Sequence, residues 1–179
     1  MVERGSGIRI QHLSPNAIRE IVDMRARLET MVMEEAMSHL TEADIDHAGE
    51  ILDRADATTD PDEWSALNLQ FHGVLYERTE FRRALSLVKT LWVAPEPYLR
   101  LYVQDPVNLR TSQQEHRDLL AAVRRHDLPA VLAEVEKHIR RTETAVLSAV
   151  SGYPEAEVAM MVRGQAITNS AWYTVDKES

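Results

Sequence analysis

Seven histidines occur among the 179 residues, and three of them fall where apolar side chains belong. His72 follows Asn68 by one helical turn, on nearly the same face as the stripe Trp64, Leu67, Phe71, Leu75. His116 takes the inward position before Leu119, Leu120 and Val123, and His138 takes the step between Val135 and Thr142. Nearer the start, Arg25 and Glu29 sit inside the apolar series Ile18, Ile21, Val22, Leu28, Val32. Four segments therefore turn a polar or ionisable group toward one interior. A buried imidazole needs partners for its ring nitrogens, and a cation is a partner that several imidazoles can share. The three histidines, each on a different segment, point to a metal site. The plainer readings are a satisfied core histidine at each position, an Arg25–Glu29 ion pair one turn apart, and a packing or capping amide at Asn68. His12, His39, His47 and His126 lie near caps, helix ends or aspartates and share no face, so they read as surface or junction residues.

The composition narrows the chemistry further. There is no cysteine, so no disulfide framework and no thiolate nucleophile is available, and a metal has to be held by nitrogen and oxygen. That composition suits a reducing compartment, and a cytoplasmic location is expected. With 29 acidic against 20 basic residues and a formal charge of -9, the chain should repel a phosphate backbone rather than grip it. No run approaches about 18 uninterrupted apolar residues and the start MVERGSGIRI has no apolar h-region, so neither a membrane-spanning helix nor a secretory signal is expected.

The elements that position these residues read as helices. Ser14-Pro15 supplies an N-cap hydroxyl and a proline at the first helical position. Thr41 with Asp44 starts a second helix, which should run to about Ala55. Asp60-Pro61-Asp62-Glu63 starts a third with the spacing of a capping box, ending near Thr79. A fourth holds Leu85, Val88, Leu91 and Trp92 and meets Pro95 and Pro97, where a kink or break is expected. A fifth covers about 107–125, and Asp127 caps a sixth that begins at Leu128-Pro129. No stretch alternates long enough for a confident strand. The expected fold is an all-α antiparallel bundle of about six to seven helices over residues 14–151. Residues 1–13 look like the end of a β-hairpin with a linker, and 152–179 form a C-terminal extension with a short helix and a polar tail.

Taken together, Arg25-x-x-Leu28-Glu29, Asn68-Leu69-Gln70-Phe71-His72, Glu115-His116 ahead of Ala121-Ala122, and Asp127-x-x-Ala130 leading to His138 carry a resemblance. In order and spacing the chain resembles the C-terminal effector-binding domain, FCD, of FadR-type regulators in the GntR family. The resemblance implies a ligand-sensing domain of a bacterial transcription regulator, not an enzyme, with metal ligands on Asn68, His72, His116 and His138. It implies zinc, ahead of nickel, manganese or iron, together with a small organic acid effector such as a sugar acid, hydroxy acid or dicarboxylate. Arg25 would offer its planar fork to the effector carboxylate, with Glu29, Tyr98, Arg100 and Tyr102 as further effector-pocket residues. It also implies a homodimer, and DNA contact only through a winged helix-turn-helix domain, of which Arg4-Gly5-Ser6-Gly7-Ile8-Arg9-Ile10 would be the end of the wing. The chain would then be a fragment of a longer regulator or a domain without its reader. Two departures stand out. Family members commonly carry aspartate where Asn68 stands, and an amide oxygen brings no charge to an ion. Glu80-Phe81 replaces a frequent Gly-Asn and changes the expected turn after the third helix.

Two rival readings belong to other classes. Three histidines with an open coordination position could activate water in a metal-dependent hydrolase, with Glu29 as the one inward carboxylate available as a base. Alternatively, the bundle could bind an acid or lipid-like ligand without metal, or serve only for dimerisation.

Overall fold

The computed structural model describes residues 13–93 and 95–151, and the expected wing remnant and C-terminal extension fall on residues outside that range, Leu13 excepted. Among the described residues there are seven helices and no strand: α1 (Pro15–Ala36), α2 (Glu42–Ala57), α3 (Pro61–Tyr76), α4 (Arg82–Val93), α5 (Glu96–Val103), α6 (Pro106–Arg124) and α7 (Leu128–Ser151). Helix α1 packs on α7 and α4, α2 on α3 and α6, and α6 on α7, so the bundle closes around one interior.

The starts follow from local chemistry. The Ser14 hydroxyl accepts from the Ala17 N–H with Pro15 in the first turn of α1, and Asp105 does the same for Val107 at α6. Thr41 and Asp44 close a full capping box on α2. At α3 the expected box does not form. Asp60 accepts from the Asp62 N–H, while the Glu63 carboxylate takes the Thr58 hydroxyl at 2.6 Å instead of reaching back to the cap. A hydroxyl three residues upstream of the proline competes for that carboxylate and wins.

Helix α3 also stops sooner than its apolar spacing suggests, at Tyr76 rather than near Thr79. Thr79 is fully buried, and its hydroxyl and the Glu80 N–H both donate to the Glu35 carboxylate of α1, which fastens the α3–α4 turn. That turn needs no glycine: the one described non-glycine residue with positive φ is His126, at 53°, where α6 ends.

At the prolines the chain breaks rather than kinks. α4 ends at Val93, and residues 96–103 form a separate short helix, α5, whose first turn hangs on the Pro95 carbonyl through the Tyr98 and Leu99 N–H groups, each at 3.0 Å. The interior is filled by Ile18, Val22, Met33, Ile45, Ile51, Leu67, Phe71, Leu75, Val88, Leu119 and Ile139, all nearly inaccessible. Burying each such side chain is worth roughly 1.5–3 kcal/mol, so the helices are held mainly by this shared core.

Candidate functional site

Where α3, α6 and α7 meet, His72, His116 and His138 come together, each buried. Their ring centroids lie 5.1 Å apart for His72–His116, 5.3 Å for His72–His138 and 4.6 Å for His116–His138. One nitrogen from each lies within 4.8 Å of the others. Apolar walls account for the placement. Phe71 packs against both His72 and His116, Trp64 stacks on His116, and Trp92 and Tyr76 border His72.

Burial sets the protonation of the cluster. It pushes His72 well below the usual histidine range, with His138 and then Arg25 adding repulsion. His116 falls likewise through burial, then His138 and His72. Both rings are therefore neutral near pH 7, the form that offers a lone pair to a metal.

Two atoms here lack partners. Asn68 Oδ1 and His72 Nδ1, one turn apart on α3, are the buried side-chain atoms that make no hydrogen bond among the described residues. A buried polar atom left unpaired costs about 1–3 kcal/mol. The spacing also suits an ion. Two ligands about 2.0–2.1 Å from a tetrahedral centre stand roughly 3.3–3.4 Å apart, and His116 Nε2 and His138 Nε2 are 3.3 Å apart. An amide oxygen and three imidazole nitrogens are hard and borderline donors of the kind zinc and its neighbours accept, so the residues fit a divalent transition metal.

Arg25 and Glu29 form the ion pair that their spacing allows, with Arg25 Nε 2.7 Å from Glu29 Oε1. Glu29 is wholly buried and also accepts from Trp92 Nε1 at 3.0 Å and the Tyr76 hydroxyl at 3.1 Å. Burial and then the Glu29 charge hold the Tyr76 hydroxyl well above the usual tyrosine range. Since Tyr76 and Trp92 are the rings that border His72, the ion pair adjoins the histidines.

Tyr98 is buried, and its hydroxyl accepts from the Leu13 N–H at 2.9 Å, tying the chain ahead of α1 to α5. Tyr102 is buried, and burial raises its hydroxyl above the usual tyrosine range. Arg100 belongs to α5, but its side chain lies outside the described set.

Sequence reasoning missed the groups behind the histidines. His138 Nδ1 contacts Glu115 Oε2 at 2.9 Å, and Glu115 Oε1 accepts from Arg141 at 3.0 Å. His116 Nδ1 faces Gln113 Oε1 at 3.4 Å. Glu115 is thus a buried carboxylate beside the histidines, contrary to the expectation that only Glu29 could be one. It adjoins His116 in sequence, but only the packing of α6 on α7 brings it to His138. Tyr76 had a legible signal, since it continues the four-residue step from Asn68 and His72.

A family model described as the FCD domain matches residues 20–141. The chain belongs to the FCD family. It is a regulatory, ligand-sensing type of domain, of the kind carried by GntR-family regulators. Two solved structures share the FCD bundle with a TM-score of 0.68 each. E. coli McbR/YncC is 24% identical, the match covering 74% of this chain and 69% of that one. A GntR-family transcriptional regulator from Pseudomonas syringae pv. tomato str. DC3000 is 22% identical, with 78% and 59% covered. The FCD chain therefore spans less than two thirds of the latter's length. No curated protein matches the chain. No helix among the described residues is long and apolar enough to cross a membrane.

Proposed function

We propose that this FCD domain is the sensor of a bacterial transcription regulator, holding a divalent transition metal through Asn68, His72, His116 and His138 and binding a small organic acid beside it. The observation that carries the reading is the pair of orphaned atoms, Asn68 Oδ1 and His72 Nδ1, next to His116 and His138. Without an ion, two buried polar atoms go unpaired and three imidazoles crowd one point; with one, all gain a partner. A bound divalent ion supplies a Lewis-acidic centre with positions open to a carboxylate oxygen.

The chain's own residues do the rest. Asn68 brings no charge, so an ion at this site keeps its full charge and favours an anionic ligand. Arg25 bonds, among the described residues, only through Nε, which leaves its terminal nitrogens to fork a ligand carboxylate. Glu29 holds that guanidinium in place. In a dimer with paired DNA-binding heads, the ligand would act by favouring one arrangement of the heads over another. A hydrolase is disfavoured because both carboxylates beside the histidines are engaged, the Glu29 oxygens by donors from Arg25, Trp92 and Tyr76 and the Glu115 oxygens by His138 Nδ1 and Arg141.

Elemental analysis of the purified chain, followed by zinc titration with and without a panel of organic acids, tests the reading. The parent should carry about one equivalent of metal per chain and His116→Ala should lose it. Equal metal and acid binding by the two would sink the assignment.

A further inference from the structure

His116 and His138 bring their Nε2 atoms to 3.3 Å, and the groups behind the rings decide what those nitrogens present. His138 Nδ1 lies 2.9 Å from Glu115 Oε2. A carboxylate only accepts, so a singly protonated ring carries its proton on Nδ1 and keeps its Nε2 lone pair. Behind His116 the amide of Gln113 is fixed in orientation. The Trp64 indole, which only donates, gives to Gln113 Oε1 at 3.0 Å, and Gln113 Nε2 gives to Asp56 Oδ1 at 2.7 Å. The oxygen of Gln113 therefore faces His116 Nδ1 at 3.4 Å, placed to take its proton when an ion claims Nε2. Without an ion the 3.3 Å Nε2–Nε2 contact takes a proton on one of the two nitrogens, and Glu115 keeps that proton off His138; with an ion between them both imidazoles turn a bare Nε2 to the same point. Glu115 is itself buried, and Arg141, one turn past His138 on α7 with a side chain 52% exposed, supplies its counter-charge from the surface.

We infer that Glu115 and Gln113 are positioning residues that select the tautomer in which His138 and His116 offer Nε2 to the metal, and that Arg141 fixes which way the group at position 115 points. The inference rests on the metal-holding reading above. It makes a prediction that a merely structural role for Glu115 does not. In Glu115→Gln the shape is kept, but Arg141, a donor only, holds the amide oxygen and turns the NH2 toward His138 Nδ1. That nitrogen must then accept, which moves the ring proton to Nε2. Adding Arg141→Met frees the amide to rotate, its oxygen again takes the Nδ1 proton, and Nε2 is bare once more.

The experiment uses the whole chain, zinc as the probe in competition with a chelating dye, and imidazole nitrogen NMR on the metal-free protein. The parent should show His138 protonated at Nδ1. Glu115→Gln should show it protonated at Nε2, with zinc affinity lower by about 10–100-fold, as for other outer-sphere partners of metal-bound histidine. The double variant Glu115→Gln/Arg141→Met should regain the parent tautomer and most of the affinity. His138 protonated at Nε2 in the parent, an unchanged tautomer in Glu115→Gln, or a double variant no better than the single would each overturn the inference. If the parent binds no zinc while the tautomers change as described, the metal reading fails and the positioning roles stand.

Discussion

Replacing Glu29 with alanine should rank among the most damaging single changes in this protein. The side chain is completely buried and takes three donors, Arg25 Nε at 2.7 Å, Trp92 Nε1 at 3.0 Å and the Tyr76 hydroxyl at 3.1 Å. Removing it strands the guanidinium of Arg25, itself only 6% exposed. An uncompensated buried charge costs about 3–5 kcal/mol. The two remaining donors would each cost about 1–3 kcal/mol if unmet, but the space left behind lets water reach some of them, so the terms do not sum. About 4–6 kcal/mol is expected, a large share of the 5–15 kcal/mol typical of whole domains. Glu29→Gln separates charge from shape. Its oxygen can still serve Arg25 and Trp92, and the Tyr76 hydroxyl can rotate to accept from the new NH2, so the cost should be about 1–3 kcal/mol. Arg25→Met/Glu29→Leu removes both charges together and should be more stable than Glu29→Ala. Urea unfolding followed by far-ultraviolet circular dichroism, with m compared across the variants, measures all three. A cost below about 1 kcal/mol for Glu29→Ala, or a double variant no more stable than it, would refute the reasoning.

Two further predictions concern the frame around the site. The Arg78 guanidinium first, and then the Thr41 contacts of the capping box against a desolvation cost, hold the Asp44 carboxyl well below the usual carboxylate range. Because the folded value is depressed, this contribution is complete above the unfolded value near pH 4 and fades as pH falls toward the folded one. Asp44→Asn should therefore cost about 1–2 kcal/mol at pH 7, and the gap to the parent in urea midpoints should shrink below about pH 4. His126 ends α6 with a φ of 53°, a conformation that favours glycine. His126→Gly should raise stability by about 0.5–1 kcal/mol, read as a higher thermal midpoint, since the exposed His126–Glu42 contact it gives up, at 3.7 Å, is worth little.

What was legible in the sequence divides along the range of the interactions. Helix starts depend on residues within one turn, so Ser14-Pro15, Thr41 with Asp44, and Asp127 could be read directly. The inward positions of Asn68, His72, His116 and His138 follow from spacing alone, and so does the Arg25–Glu29 pair. Failures begin where a group has two partners to choose between. Glu63 had a cap to close and took Thr58 instead. Residues 96–103 carry too few turns between prolines to announce a helix, and α5 forms because it packs on α3, α6 and α7. The hydroxyl of Tyr98 was equally free on paper to face a ligand, and it meets the Leu13 N–H, 85 residues away in sequence. Glu115 shows in the sequence only as the neighbour of His116, because its partner is His138, 23 positions on.

The charges around the histidines explain why so polar a cluster can sit inside a helical bundle. Among the described residues each buried anion has its cation: Arg25 pairs with Glu29, and Arg141 with Glu115. The imidazoles of His72 and His116 are kept neutral by burial. The acid–base pairs thus cancel around the point where the three rings meet, and His116 and His138 bring their Nε2 atoms to within 3.3 Å of each other there. On the proposed reading, a cation held there would meet no fixed counter-charge in contact with it, and its binding would rest on lone-pair donation and on an anion brought by the ligand. Metal and acid should consequently bind with positive coupling, each raising the affinity of the other by the same factor. On the proposed reading, Asn68 stands where a carboxylate would have supplied the missing anion, and so makes the acid part of the site's charge balance.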